Sequence, residues 1–195
     1  MDENFDLQSW LEDVGSVMKK TDLSKVSAES TGFEDLPEGY YLAEVIDVKP
    51  DRCKSGKNEG KPTLKMRLKV VGDGFKLAGD PDELEDEGKD LFEPVTGVNG
   101  RFVFKTFTIG EESLMKRFAS DMMKFEEPNN PGKMLLPEEA WTDPKIMFDS
   151  VSLLVDLASR IWLHNKVTKK EDGTNGAWVD FLDFSRAAKL GLPVD

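Results

Sequence analysis

Residues Thr63-Leu64-Lys65-Met66-Arg67-Leu68-Lys69-Val70 alternate without a break. Leu64, Met66, Leu68 and Val70 take one parity, and Lys65, Arg67 and Lys69 take the other. Successive side chains of an extended chain point to opposite faces, so this period of two describes a β-strand. Its apolar side lies on a core and its three cations face solvent.

A positive row needs explaining in a chain of net charge −12. Phosphates are neutralised by Lys and Arg, so such acidity argues against a protein that coats nucleic acid over its whole surface. The distribution matters more than the sum. Between residues 40 and 76 the basic side chains outnumber the acidic ones, and Arg160, Lys166, Lys169 and Lys170 form a second basic stretch. The acid lies in residues 81–93 and in both terminal regions. A chain that is acidic overall but locally cationic binds a polyanion at one place without adhering everywhere.

The chain has 195 residues, 38% hydrophobic and 33% charged, enough for one globular domain with tails. Cys53 is the single cysteine, which excludes an internal disulfide and a cysteine-rich metal site. No apolar stretch is long enough to span a bilayer, and residues 1–6 lack a basic region followed by an apolar core. A cytoplasmic protein without membrane contact is expected.

Along the chain, Phe5, Leu7, Trp10, Leu11, Val14, Val17 and Met18 recur at helical spacing, which predicts a helix over residues 7–20, packed on the domain or docked on another chain. Residues 21–34 read as a linker, so residues 1–36 form an N-terminal segment. Strands are expected at 40–49, 63–71 and 101–109, with a basic loop at 50–61 and a long acidic insertion at 75–100. Leu114, Met115, Phe118, Met122 and Phe125 predict a helix over 111–125, and a second helix fits 145–158. Strands at 160–168 and 177–184 flank a turn whose Asn175-Gly176 pair marks a hairpin. Residues 187–195 are expected to be a tail.

Strand, strand, strand, helix, strand, strand is the order of the five-stranded OB barrel, which binds oligonucleotides or oligosaccharides on its second and third strands. The expected class is therefore mainly β with helices, an OB-fold domain over 37–186. Binding single strands requires cations along a groove and exposed rings for bases to stack upon. Phosphate contacts are expected from Lys54, Lys57, Lys65, Arg67, Lys69, Arg101, Lys105 and Lys166. Stacking is expected first from Trp162, then from Phe102 and Phe104, with His164 alternating between Trp162 and Lys166. On the third strand this reading sets Arg101 and Lys105 on one parity and the two rings on the other. Tyr40 and Trp178, each near the start of a strand, read as packing residues.

Catalysis finds little support. His164 is the sole histidine, no serine lies in a G-x-S-x-G turn, and Gly56-Lys57 lacks the spacing of a phosphate loop. Asp82, Glu83, Glu85, Asp86 and Glu87 lack the ligand order of a calcium loop and read as a solvated acidic arm. No enzyme activity, metal or cofactor is expected.

Residues 37–184 also resemble the OB-fold single-stranded-DNA-binding proteins encoded by bacteriophages. The resemblance rests on Pro37-Glu38-Gly39-Tyr40-Tyr41-Leu42-Ala43-Glu44-Val45, Lys54-Ser55-Gly56-Lys57, residues 64–70, Gly100-Arg101-Phe102-Val103, residues 162–167 and residues 178–182. It implies protection of single-stranded DNA, without sequence specificity, during phage replication or recombination. Replication or recombination proteins are then the implied partners, in the host cytoplasm. Family members often recruit partners through an acidic tail ending in an aromatic residue. The last residues here, Leu190 to Asp195, do not have that form. RNA is the second candidate ligand, and a protein-interaction module built on the same barrel is the alternative function.

Overall fold

The longest strand organises the sheet because its two halves pair on opposite edges. The computed structural model describes residues 6–21, 36–79, 91–127, 130–169 and 175–194. Among these, β1 (Gly39–Arg52) is followed by β2 (Pro62–Val70), β3 (Gly74–Leu77), β4 (Phe92–Val95) and β5 (Phe102–Thr108). Then come β6 (Glu126–Glu127), β7 (Asn130–Met134), β8 (Arg160–Lys169) and β9 (Asn175–Leu182). Four helices accompany them: α1 (Leu7–Met18), α2 (Glu112–Met122), α3 (Pro144–Asp156) and α4 (Phe184–Lys189). The architecture is mixed, with most strands in one antiparallel sheet.

Residues 43–52 of β1 pair with β2, while residues 39–44 pair with β8 on the other edge. A bulge between Val45 and Asp47 inserts Ile46 and bends the strand between these two duties. The path through the sheet runs β9, β8, β1, β2, β5. β3 joins β1 beside Tyr40, on the same edge as β2, and pairs with β4. No ladder joins β5 to β9 among the described residues, yet Phe107 and Phe181 meet with ring centroids 6.2 Å apart. The sheet thus curls until its two ends face each other.

The concave side holds the core. Ala43, Val45, Leu64, Met66, Leu68, Val103, Phe107, Ile161, Leu163, Val179 and Phe181 point inward. Met115, Phe118 and Met122 of α2 and Met147, Val151 and Leu154 of α3 cover them. Their three-to-four spacing is what gives each helix one apolar face. Asp143 starts α3 by accepting from the amides of Lys145 and Ile146, and Pro144 occupies the first turn, where no amide partner is lost.

The N-terminal helix belongs to this core. Trp10, Val14 and Met18 are buried in it, and Trp10 Nε1 donates to the carbonyls of Asp51 and Thr63. Arg52 adds an ion pair to Asp13 at 2.7 Å. Of the two placements the sequence allows for α1, this is packing on the domain.

Two segments depart from the sequence expectation and together reshape one outer face of the sheet. The ends of the expected insertion form the β3–β4 hairpin, entered through Gly74, where a Cβ would lie 2.2 Å from Tyr41 Cε1. Residues 187–194, expected as a tail, contribute the end of α4 and the buried Leu192. The hairpin and the C-terminal segment cover the outer face of β1 and β8, building a second cluster around Tyr40, Trp162, Ala187 and Leu192. Residues 22–34 of the predicted linker, the acidic run at Asp82–Glu87 and the turn at 171–174 lie outside the described residues. No described helix is long and apolar enough to cross a membrane.

Candidate nucleic-acid interface

On β2, Leu64, Met66, Leu68 and Val70 are buried while Lys65, Arg67 and Lys69 are exposed, as the alternation requires. The neighbouring β5 brings its own outer residues into register with them. Thr106 faces Lys65, Phe104 faces Arg67, and Phe102 faces Lys69. Phe102 is 52% exposed and Phe104 57%. The Arg67 guanidinium leans diagonally over Phe102, 5.5 Å from the ring centroid. Two open rings and three cations therefore share one surface. Arg101 is exposed just before β5, and Lys54 and Lys57 are exposed in the loop after β1.

Carboxylates of β1 border this surface. Asp47 stands in register with Arg67 and Glu44 with Lys69. Asp51 Oδ2 is 2.5 Å from Lys65 Nζ, and Asp47 Oδ2 is 3.1 Å from Lys49 Nζ. Burial alone would raise the Asp51 pKa, but its bonds to Lys65 and to the Arg52 amide, with the charges of Lys65 and Lys54, bring it below the ordinary value. The row is positive with negative punctuation.

Two expected site residues, Lys105 and Trp162, are buried. Lys105 points inward, 3% exposed, with Nζ 2.7 Å from Asp121 Oδ2 and 4.0 Å from the centroid of the Phe181 ring. Burial lowers its pKa, and Asp121 opposes the shift. Contacts were expected from both parities of β5, but only one is outer: Val103, Lys105 and Phe107 face the core, while Phe102 and Phe104 face solvent as stacking requires. Trp162 is 1% exposed beneath the C-terminal segment and the β3–β4 hairpin, so it offers no face to a base.

His164 and Lys166 follow Trp162 on the outer side of β8. The His164 ring stacks on Tyr40 at 4.2 Å and 15°, which half-buries it. That burial, and then the charge of Lys166, lower its pKa despite Asp180. Lys166 is exposed and lies 2.8 Å from Asp180.

Trp178 is the residue that sequence reasoning passed over. It is 44% exposed on β9, in register with Lys166. Its parity was readable: Val179 and Phe181 are the apolar set of β9, which leaves Trp178 with Asp180 on the outer face.

Among the described residues, no three His, Cys, Asp or Glu side chains converge to hold a metal ion. Comparisons of the chain with family models, with curated proteins and with solved structures found no match.

Proposed function

We propose that this chain is a non-catalytic protein that binds single-stranded DNA, without sequence preference, on the outer face of β2 and β5. The observation that carries the reading is the exposed pair Phe102 and Phe104 beside the row Lys65, Arg67 and Lys69. Two phenylalanines left in water on one strand face are costly unless something apolar and flat covers them. Every base has a π-face that stacks on such rings, and a cationic groove follows the backbone. Rings and cations both recur every second residue, about 6.6–6.8 Å apart along a strand. That pitch is about twice the rise per nucleotide of a duplex strand, ~3.4 Å, so a stretched single strand suits it better than a stacked helix.

The strand path supports an OB reading of the fold. β9, β8, β1, β2 and β5, with α2 between β5 and β8, follow the order of a partly open five-stranded Greek-key barrel. In that fold the second and third strands, here β2 and β5, carry the oligonucleotide face. Replication or recombination proteins as partners, and a phage setting, extend this reading through the resemblance in residues 37–184.

A second reading is favoured by Ile146, Leu153 and Leu157, exposed along one stripe at the α3 surface. Such a stripe suits a protein contact and makes an assembly module the alternative. Titration of labelled oligo-dT separates the two. A DNA-binding protein loses affinity with salt at a slope of roughly −0.7 per phosphate neutralised. Replacing Phe102 or Phe104 by Ala then costs about 1–3 kcal/mol each. Affinity indifferent to salt, or equal for duplex and single strand, would sink the proposal.

A further inference from the structure

The open seam between β5 and β9 extends the candidate surface. β5 is antiparallel to β2 and β2 to β1, while β9 is antiparallel to β8 and β8 to β1, so β5 and β9 run parallel. Their alignment follows from two contacts across the seam. Lys105 Nζ donates to the Val179 carbonyl at 3.4 Å, and Phe107 meets Phe181. Both contacts join residues 74 apart in sequence. The residues preceding the first pair, Phe104 and Trp178, therefore stand on the outer face, on opposite lips of the seam. Both are exposed.

Beyond them the register continues on each side. Arg67 is level with Phe104 on β2, and Lys166 is level with Trp178 on β8. Across the strands the surface thus reads cation, ring, ring, cation. The exposure of Trp178 is unusual within this molecule: Trp10 and Trp162 are buried to within 1% and Trp141 is half-buried. An indole that is 44% exposed presents a large apolar surface to solvent and stacks strongly on planar partners.

We propose that Trp178 is a stacking platform for the bound single strand, which crosses the seam from β5 onto β9. The proposal rests on the nucleic-acid reading above. Lys105 ties the lips from within through its amine, without a backbone ladder. Phe104 and Trp178 then hold neighbouring bases on either lip, and Arg67 and Lys166 meet the phosphates at the two ends of the row.

The test uses the full chain and two independent signals. Binding is read by the anisotropy of labelled oligo-dT, and the environment of Trp178 by intrinsic tryptophan fluorescence with unlabelled oligo-dT. Saturation should quench the wild-type emission. Trp178→Phe should retain affinity within a few-fold and lose most of the quenching. Trp178→Ala should weaken binding by about 5- to 150-fold, the loss of one stacked base. If Trp178→Ala fails to fold, judged by circular dichroism, the quenching in Trp178→Phe decides alone. Wild-type binding with affinity unchanged in Trp178→Ala, or with full quenching kept in Trp178→Phe, overturns the platform and leaves the nucleic-acid reading standing. Absence of wild-type binding overturns both.

Discussion

The Lys105 amine lies 2.7 Å from Asp121 Oδ2, while Asp121 Oδ1 holds Lys124 at 3.0 Å, with all three side chains buried. Two cations share one carboxylate inside the core. Removing one partner of a buried pair strands a charge in low dielectric, at about 3–5 kcal/mol. Asp121→Asn strands two amines and should lose at least that much. Lys105→Met leaves a balanced pair of Asp121 with Lys124 and fills the space with an apolar chain of similar length. It should stay far closer to wild type in urea unfolding. Equal damage from both substitutions would mean that charge balance does not govern the cluster.

Trp162 sits beneath the C-terminal segment against Phe75, with ring centroids 6.0 Å apart. Trp162→Ala opens a large cavity in a small cluster and should cost about 3–5 kcal/mol of stability. Affinity for oligo-dT, measured on the folded fraction at low temperature, should not change. A stable variant with weakened binding would restore Trp162 to the surface and contradict its burial.

The elements that bury one continuous face were legible because their periodicity is long. β2 with Leu64, Met66, Leu68 and Val70 buried in alternation, and α2 with Met115, Phe118 and Met122, could hardly be read otherwise. The β3–β4 hairpin was not, because its two strands are four residues each and Pro94 interrupts the second. Missing that hairpin, together with α4, hid the cover over Trp162. A ring in a strand with polar neighbours then looked like a solvent-facing platform. On β5 the error lay in treating a lysine as a surface residue. Its partner Asp121 is on α2, sixteen residues later, and no local pattern links the two. Trp178 was missed for the converse reason, that a large ring near a strand start usually packs.

The two tyrosines give a prediction at alkaline pH. Tyr41 is fully buried and its hydroxyl donates to the Pro37 carbonyl at 2.8 Å. Burial, only partly offset by the charge of Arg101, pushes its pKa up to about 12. Tyr40 is raised as well, first by burial. A folded pKa above the unfolded value of about 10 means that the native state holds its phenolic proton longer. The associated stability is fully present below pH 10 and is lost as pH climbs toward 12. Ultraviolet titration should therefore show little tyrosinate near pH 10, then a rise accompanying loss of structure. Tyrosinate formed at pH 10 in the intact fold would contradict the burial of Tyr41.

The carboxylates of β1 set how tightly the candidate surface can hold a strand. Lys65 is already paired with Asp51, so a phosphate arriving there must displace a carboxylate rather than a mobile counterion. Such exposed pairs contribute about 0.2–1 kcal/mol. Asp51→Asn should recover that amount as affinity, up to about fivefold, and should also remove local repulsion of the backbone. The salt slope should steepen by up to about 0.7, because Lys65 now releases a counterion when it meets a phosphate. Asp47→Asn, which frees Lys49 and unmasks Arg67 across the register, should act in the same direction. Glu93→Gln, whose partner Lys76 lies on the β3–β4 hairpin away from the β2–β5 face, serves as the control for a plain change of one charge. Equal gains from all three would assign the effect to net charge and not to the border of the β2–β5 face.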